Sequence, residues 1–486
     1  MVGGGISGLA AAHRLTELAR GGRPVDVTVL EAAQRIGGII STVTREGFLL
    51  EEGPDAFITD KPWARDLAVR LGLESRLIAT RPLHRRSFVV RKGRLLPIPD
   101  GFQMIAPTRF WPFAATRILS PAGKVRMLMD LVIPRGGAAA DESLGDFVTR
   151  RLGREALERI AQPMIGGIYG ADPMTLSLRA TFPRFLQMEE THGSVIRAML
   201  AARRRQPPDS AGSPRASVTA GPRYGLFASF DRGMSLLPES LAAAISSGGS
   251  KLRTGTKALS LSRTPSARWR VRSSGTGAAG MRESSTSATV DDAYDAVILA
   301  LPAPGAAALL RPVDPGLAAM LESIRHGSAA TVSLAYQERD VGHPMDGFGF
   351  VVPSIERLSI TAATFAQRKF PGRAPEGDAL IRAFWSDAAD VLADETIIGR
   401  TVGDLRTLIG IQGAPRFTQV TRYPGSMPHY QVGHLDLVES IESAVKRHEG
   451  LFLAGNAYRG VGIPDCIRSG ETAASMVAAM LDLNSR

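Results

Sequence analysis

The chain has 486 residues, of which 44% are hydrophobic and 22% charged, and it contains a single cysteine. This length predicts about two or three domains, with a core large enough to need no disulfide or metal for stability. One cysteine excludes an internal disulfide, and no Cys/His cluster has zinc-ligand spacing. We therefore expect a protein of a reducing compartment without a metal site.

The net charge is +11, from 58 basic and 47 acidic residues. Such an excess is compatible with nucleic acid, an anionic membrane surface, an acidic small substrate, or a plain bias toward arginine. No signal peptide is visible, and the longest uncharged apolar run, residues 296–310, is too short and too interrupted by proline to span a membrane. We expect a cytoplasmic protein, at most peripheral at the inner face of the membrane.

The first elements of the chain predict a dinucleotide site. Gly3, Gly5 and Gly8 fit the pattern G-x-G-x-x-G, and an Ala/Leu-rich helix follows them. In this motif the first glycine makes a tight turn, the second admits a pyrophosphate, and the third lets helix and strand pack closely. The apolar strand Val25–Leu30 then ends at Glu31, whose carboxylate is placed to accept hydrogen bonds from a ribose.

The strand that should precede this glycine motif is short. Only Met1 and Val2 come before Gly3, where a central strand of about five or six residues is expected. We therefore expect either a start site farther upstream or a first strand that is mostly missing. The second case would leave hydrogen bonds open in the middle of the sheet.

A second glycine pair lies shortly after Glu31. Arg35 is placed to reach a pyrophosphate, while Gly37 and Gly38 allow close approach of the backbone. This Glu-x-x-x-Arg-x-Gly-Gly arrangement resembles the FAD-binding entrance of the flavin amine oxidase superfamily. The resemblance favours FAD over a nicotinamide nucleotide as the cofactor.

The C-terminal end predicts the other half of the same site. A buried strand ends at Gly455 and Asn456, a glycine-rich turn follows, and a helix begins at about Ile467. A strand, a glycine turn and a helix N-terminus point backbone N–H groups at an anion or at a polarised ring edge. We expect the cofactor to be contacted by Gly455 and Asn456 at the end of the strand and by Val461, Gly462 and Ile463 in the turn.

The middle of the chain contains loops and one ambiguous segment. Residues 135–140, 203–223 and 273–289 have the composition of flexible connections. We interpret the last of these as an enlarged hairpin loop between the strands Trp269–Val271 and Ala296–Leu299. Residues 101–133 mix aromatic residues with arginines, which suits either a helix at a membrane interface or a helix packed on its own domain.

Several internal segments together resemble the oxygen-dependent, FAD-containing protoporphyrinogen and coproporphyrinogen III oxidases. They occur in the order typical of that family, and the resemblance runs from Gly3 to about Glu471. The segments are Pro163–Pro183, Gly347–Pro353, Lys369–Pro375, Met427–His434 and Gly460–Cys466.

The resemblance implies a fold that combines α/β and α+β parts. A Rossmann-like FAD-binding domain with a truncated first strand would comprise residues 1–80, 221–310 and 440–486. A mixed-sheet substrate domain would comprise residues 81–104, 201–220 and 311–439. Residues 105–200 would form a helical lobe that is a candidate for membrane contact.

The implied reaction is the oxidation of a porphyrinogen to the porphyrin in haem biosynthesis. It removes six electrons in three flavin cycles, with O2 as the acceptor and H2O2 as the product. Coproporphyrinogen III and protoporphyrinogen IX differ by two propionates, and no motif decides between them. We assign no catalytic residue, because the flavin N5 accepts the hydride and the protein orients the substrate and excludes water.

The expected substrate site is an apolar slot with cations at its rim. Arg86, or equally Arg85, lies near the position of a family arginine that holds a propionate, and Tyr169 and Phe350 are candidates to line the slot. We interpret His429 and His434 as structural residues rather than metal ligands. Cys466 is expected to be a small buried hydrophobic residue.

Two alternative functions stay open from the sequence. The first is a related flavin amine oxidase or carotenoid desaturase. The second is a basic binding protein with an inactive flavin site, which would bind anionic lipid or nucleic acid through its arginines. We expect a porphyrinogen and O2 as partners and no nucleic acid, while a homodimer stays open.

Overall fold

The computed structural model describes residues 1–20, 25–99, 102–103, 106–107, 109–136, 141–204, 226–266, 268–275, 288–386 and 390–484. Helices and strands are numbered in chain order. The predicted loop at 203–223 lies almost wholly outside these ranges, as do residues 137–140 and 276–287 of the other two predicted loops.

A parallel sheet joins the two ends of the chain into a dinucleotide unit. Its strands are β1 (Thr28–Leu30), β11 (Lys251–Arg253), β15 (Val297–Leu299) and β21 (Leu451–Leu453). Strand β1 pairs with β11 and β15 pairs with β21, while Val2 bridges β1 and β15 in parallel. The sheet therefore has the order β11, β1, Val2, β15, β21, as a Rossmann-like fold requires.

The short first strand is bonded on both sides at Val2 and Gly3. The Val2 N–H donates to the Ile298 carbonyl at 2.9 Å, and the Val2 carbonyl accepts from the Ala300 N–H at 2.8 Å. On the other side, the Gly3 N–H donates to the Leu30 carbonyl at 2.8 Å. The backbone groups of Val2 and Gly3 that were expected to lack partners in the middle of the sheet are therefore hydrogen-bonded.

Helices cover the sheet of the dinucleotide unit. They are α1 (Ile6–Arg20), α2 (Trp63–Arg70), α11 (Leu236–Ser247), α12 (Ala303–Leu310), α13 (Pro315–Ser323), α16 (His434–Val445) and α17 (Ile463–Asn484). Helix α1 packs between α11 and α17, and it buries Leu9 and Leu15 there. Helix α13 shares an apolar core with β21.

Helix α17 begins at Ile463, four residues earlier than the predicted start at Ile467. Proline is tolerated in the first turn of a helix, because its missing N–H would have no partner there. Asp465 in the same turn is favoured by the helix dipole. The glycine-rich turn is therefore shorter than the sequence suggested.

Small antiparallel sheets flank the parallel sheet. Their strands are β2 (Thr42–Arg45), β3 (Phe48–Glu51), β4 (Phe57–Ile58), β5 (Leu77–Ala79), β10 (Phe227–Phe230), β12 (Thr256–Arg263), β13 (Trp269–Gly275) and β14 (Ala288–Tyr294). The predicted hairpin partner of β13 was wrong, because β13 pairs with β14 and not with residues 296–299. The apolar run Val297–Leu299 is buried throughout, as a parallel strand covered on both faces should be.

A seven-stranded mixed sheet forms the second unit. Its strands are β6 (Ser87–Arg91), β7 (Arg94–Pro97), β16 (His326–Gln337), β17 (Gly349–Val351), β18 (Ala362–Phe365), β19 (Asp378–Trp385) and β20 (Phe417–Pro428), with helices α14 (Ala366–Lys369) and α15 (Asp394–Ile409). The order is β20, β16, β19, β18, β17, β6, β7. Strands β6 and β17 run parallel and the other neighbours run antiparallel.

The third unit is helical. It contains α3 (Phe110–Ala115), α4 (Pro121–Leu128), α5 (Leu144–Leu152), α6 (Arg154–Ala156), α7 (Gln162–Tyr169), α8 (Leu178–Thr181), α9 (Pro183–His192) and α10 (Val195–Arg204), next to the short strands β8 (Phe102–Gln103) and β9 (Ala106–Pro107). At its centre Arg151 donates to Asp130 at 2.6 Å, and both side chains are fully buried. The parallel sheet, the mixed sheet and the helical unit together confirm the predicted fold class, which combines α/β and α+β parts.

Charged side chains tie the mixed sheet to the β2–β3 hairpin. Arg382 on β19 donates to the carbonyl oxygens of Glu52 and Gly53. Arg373, which precedes β19 in the chain, lies 3.4 Å from the Glu51 carboxylate. Burial raises the pKa of Glu51 to about 7, although Arg373 opposes that shift. Gly53 packs so closely on the Ile39 carbonyl that a Cβ on Gly53 would clash with it. Because Ile39 directly follows the second glycine pair, this contact lies next to that pair.

Candidate active site

The three glycines of the first motif differ in the space that surrounds them. Gly3 has a φ of +107°, and a Cβ on it would clash with the Ala300 carbonyl oxygen. A Cβ on Gly8 would clash with the Gly3 carbonyl oxygen, so only glycine lets α1 pack this closely on the strand. At Gly5 an added Cβ would meet no atom within 4 Å. The turn is therefore closed at its first and third glycines and open at its second.

Glu31 lies over this turn. Its carboxylate accepts the Gly4 N–H on Oε2 and the Ala33 N–H on Oε1, each at 2.7 Å. These two bonds fix the carboxylate at the end of β1, beside the open side of the glycine turn. The sequence predicted a ribose ligand at this position, and the side chain is half-exposed there.

The second glycine pair packs directly on the first motif. The Gly37 N–H donates to the Gly4 carbonyl at 2.8 Å, and a Cβ on Gly38 would lie 3.3 Å from the Gly5 Cα. Arg35 is exposed, and its guanidinium donates to the Ile40 carbonyl at 3.2 Å. The pair thus forms a second wall beside Gly5, with Arg35 lying across the loop that follows.

The predicted C-terminal half meets the N-terminal half across residues 300–301. Gly455 follows β21 and lies against Leu301, while Gly3 lies against Ala300. The Gly455 N–H donates to the Ser469 hydroxyl at 3.0 Å. Asn456 comes next, and its Nδ2 donates to the Ser426 carbonyl at 3.4 Å.

The N-terminal turn of helix α1 lies against helix α17 at this point. A Cβ on Gly470 of α17 would clash with the Ser7 carbonyl of α1, so glycine at 470 permits the contact. The first N–H groups of a helix lack intrahelical partners and attract anions. The N-terminus of α1, directly after the open Gly5, is therefore a suitable environment for a pyrophosphate.

The turn before α17 joins the site to the helical unit. Val461 packs against the apolar core of that unit, while Ile463 is buried in the core of the dinucleotide unit. The Gly462 carbonyl accepts from the Cys466 N–H at 2.9 Å as the first turn of α17 forms. Burial raises the pKa of Cys466 to about 12, which keeps its thiol neutral.

The structure reveals an ion pair that local sequence patterns could not predict. Lys61 contacts both carboxylate oxygens of Asp465 at 2.6 Å, and the two residues are 404 positions apart. Gly470 was also missed, although an isolated glycine inside a helical pattern is a recognisable signal of close packing.

The two candidate propionate ligands lie in the mixed-sheet unit, just before β6. Both arginines have exposed side chains. Arg86 pairs with Asp346 at 2.9 Å, and its carbonyl accepts the Phe348 N–H at 2.8 Å. Arg85 is its immediate neighbour on the same surface. A ligand carboxylate can therefore reach either guanidinium from solvent.

The two candidate slot residues have different surroundings. The Tyr169 ring at the end of α7 lies 5.8 Å from Phe182 and 6.4 Å from Tyr430, and burial raises its pKa to about 12. Phe350 on β17 is only 2% exposed and packs 6.1 Å from Phe365 in the core of the mixed sheet. Helix α7 packs on β17, but Tyr169 lies in the core of the helical unit and Phe350 in the core of the mixed sheet, so the structure does not bring the two rings together.

The histidines singled out in the sequence sit in the same region. The His434 Nε2 lies 2.9 Å from the Tyr458 carbonyl oxygen. The backbone N–H of His429 donates to the Arg325 carbonyl oxygen at 2.8 Å. Within the described part of the chain, no group of three or more His, Cys, Asp or Glu side chains could hold a metal ion. In the same ranges no helix is long and apolar enough to cross a membrane.

These residues fit a dinucleotide, because the cradle is open where a phosphate would lie and carries a carboxylate where a ribose would lie. A parallel sheet with this glycine turn at a helix N-terminus defines the class of dinucleotide-binding proteins. Residues 6–478 match the family of flavin containing amine oxidoreductases. The chain belongs to that family, and its cofactor is FAD.

Named relatives are similar to this chain over nearly its whole length. The coproporphyrinogen III oxidase of Bacillus subtilis is 35% identical, covering 98% of this chain and 96% of the relative. The protoporphyrinogen oxidase of Homo sapiens is 31% identical, covering 98% and 97%. A crystal structure of a protein from Exiguobacterium sp. 255-15 superposes with a TM-score of 0.83 at 29% identity and covers 98% of both chains.

Alanine at Gly5 should affect cofactor binding, whereas alanine at Gly8 should affect folding. Gly5→Ala should leave the unfolding temperature of the apoprotein unchanged and weaken FAD binding at least about tenfold, because its Cβ enters open space that the cofactor needs. Gly8→Ala should destabilise the apoprotein itself by about 1–3 kcal/mol through overpacking. Thermal unfolding and fluorescence titration with FAD measure the two effects.

Gly399→Ala on α15 is the matched control, since a Cβ there also meets open space. It should change neither the affinity for FAD nor the folded structure. Wild-type affinity for FAD in Gly5→Ala would contradict the assignment of this turn.

Proposed function

We propose that this flavin enzyme oxidises coproporphyrinogen III to coproporphyrin III in haem biosynthesis, with protoporphyrinogen IX as the weaker substrate. The observation that carries the proposal is the near-complete match to a coproporphyrinogen III oxidase by a chain with an open FAD cradle. The arginine-rich composition and two adjacent exposed arginines before β6 suit a substrate that carries four propionates.

When bound, FAD accepts two electrons in each of three cycles, and O2 takes them up as H2O2. In sum, six electrons and six protons leave the porphyrinogen and three molecules of H2O2 form. The residues of the chain hold the flavin and the macrocycle in one orientation and keep water away from the reacting carbon.

The four predicted substrate-site residues have different roles in this proposal. Arg85 and Arg86 bind propionates, and Arg86 exchanges its pairing with Asp346 for the substrate carboxylate. Tyr169 forms an apolar wall as a neutral phenol, since its pKa is raised to about 12. Phe350 acts indirectly, because its buried ring fixes the position of β17 under α7.

Removing one guanidinium should weaken substrate binding more than turnover. Arg86→Gln is expected to raise the KM for coproporphyrinogen III about tenfold, the loss of one charge-assisted hydrogen bond, with a smaller change in kcat. Arg85→Gln tests the neighbouring position in the same way. Porphyrin fluorescence, recorded with both porphyrinogens side by side, measures the rates.

Arg94→Gln provides the control, because Arg94 is also exposed and lies on the adjacent strand β7. Its KM should equal that of the wild type. If neither Arg85→Gln nor Arg86→Gln changes KM, these arginines do not bind the propionates.

We also propose that the helical unit touches an anionic membrane surface from the cytoplasmic side. Three apolar side chains of residues 109–132 are highly exposed: Trp111 at 79%, Val132 at 75% and Val125 at 63%. Arg109 and Arg117 are exposed in the same segment. Other side chains of this segment, such as Phe113 and Met127, pack inward, so the two interpretations of its sequence apply to different faces.

Liposome flotation tests the membrane contact. The wild type should float with vesicles that contain anionic lipid, and an Arg109/Arg117/Lys124 charge-reversed variant should stay in the dense fraction. Both proteins should stay in the dense fraction with neutral vesicles. Equal flotation of the wild type and the variant on anionic vesicles would contradict the proposal.

A further inference from the structure

Tyr430 occupies the point where the three units meet. It follows strand β20 of the mixed sheet, and its carbonyl accepts the Ser177 N–H of the helical unit at 2.8 Å. Its ring is 1% exposed and stacks on His434 of α16 with centroids 4.0 Å apart and planes 12° apart. The backbone and ring of Tyr430 are therefore held independently of its hydroxyl.

The hydroxyl group of Tyr430 closes the turn that leads into α17. It donates to the Asn456 carbonyl at 2.5 Å and accepts the Gly460 N–H at 2.7 Å. Asn456 and Gly460 are the two ends of a segment between β21 and the residues that face the flavin. One hydroxyl thus satisfies a backbone acceptor and a backbone donor that lie four residues apart.

Gly460 has little freedom to find another arrangement. Its φ is +152°, and a Cβ on it would clash with the Asp465 side chain in the first turn of α17. Asp465 is itself held by Lys61. The turn is therefore clamped between Tyr430 on one side and the start of α17 on the other.

The phenol must be protonated to fill both roles, because a phenolate has no proton to donate. Burial raises the pKa of Tyr430 well above its usual value, and the nearby Tyr169 and Asp465 shift it in the same direction, while the Gly460 N–H opposes them. The hydroxyl therefore stays neutral at physiological pH and can donate and accept at once.

We propose that Tyr430 is a positioning residue of the flavin site. Its hydroxyl fixes the turn 456–460 and thereby places the backbone of Val461, Gly462 and Ile463 against the flavin; this inference rests on the proposed role of that turn. Because Tyr430 is anchored to the mixed sheet and to the helical unit, the flavin turn is positioned by both units that would surround the substrate. Tyr430 itself performs no chemical step.

Tyr430→Phe removes the hydroxyl and keeps the ring that stacks on His434. We expect the Kd for FAD to rise about tenfold and the visible absorption bands of the bound flavin to shift, because the Asn456 carbonyl and the Gly460 N–H lose their partner. The stabilisation that FAD gives to the apoprotein should shrink. The apoprotein should also lose some stability, because two backbone groups lose their partner, but a shift of the bound flavin's absorption bands is a change that a merely structural role would not produce.

Tyr336→Phe is the matched control. Tyr336 is a buried tyrosine in the core of the mixed sheet, and among the described residues its hydroxyl has no hydrogen-bond partner. The control should bind FAD with wild-type affinity and an unshifted spectrum. A wild-type Kd and spectrum in Tyr430→Phe would overturn the proposal.

A second measurement covers the case in which Tyr430→Phe does not fold. Hydrogen exchange of the Gly460 amide in the wild-type holoenzyme should be strongly slowed, and exchange as fast as at exposed loop amides would overturn the proposal. None of these measurements uses a porphyrinogen. A wild-type protein that binds FAD but oxidises no porphyrinogen would therefore refute the proposed reaction and leave the test of Tyr430 intact.

Discussion

The close approach of helix α1 to the short first strand is the constraint on which the site depends. It requires that Gly3 and Gly8 carry no side chain, since a Cβ on either would clash with a backbone carbonyl. The approach brings the N-terminus of α1 against α17, where Gly470 makes room for Ser7. The N-terminus of α1 lies directly after the open Gly5, which gives a cofactor phosphate its binding environment.

Buried polar contacts set the arrangement of the three units around that space. Arg382 and Arg373 hold the β2–β3 hairpin against the mixed sheet, and Tyr430 holds the flavin turn at the junction with the helical unit. An apolar interface tolerates sliding, whereas a buried donor or acceptor that loses its partner costs about 1–3 kcal/mol. Contacts of this kind therefore favour one relative placement of the three units.

The sequence revealed those parts of the site whose signals are local. The spacing of Gly3, Gly5 and Gly8 and the position of Glu31 after an apolar strand predicted the cradle, because one strand and one helix determine it. The pairing of Lys61 with Asp465 and the role of Tyr430 depend on contacts between distant segments, and no local pattern encodes them. The partner of β13 was mistaken because an apolar run is not evidence of antiparallel pairing.

The central claim is that a porphyrinogen reduces the FAD held by this cradle. Mixing the wild-type holoenzyme with coproporphyrinogen III in the absence of oxygen tests it most directly, with the visible flavin absorbance followed in time. We expect the absorbance to bleach as coproporphyrinogen is oxidised and to return when oxygen is admitted, with formation of H2O2. A fully flavin-loaded enzyme that stays oxidised with both coproporphyrinogen III and protoporphyrinogen IX would contradict the account.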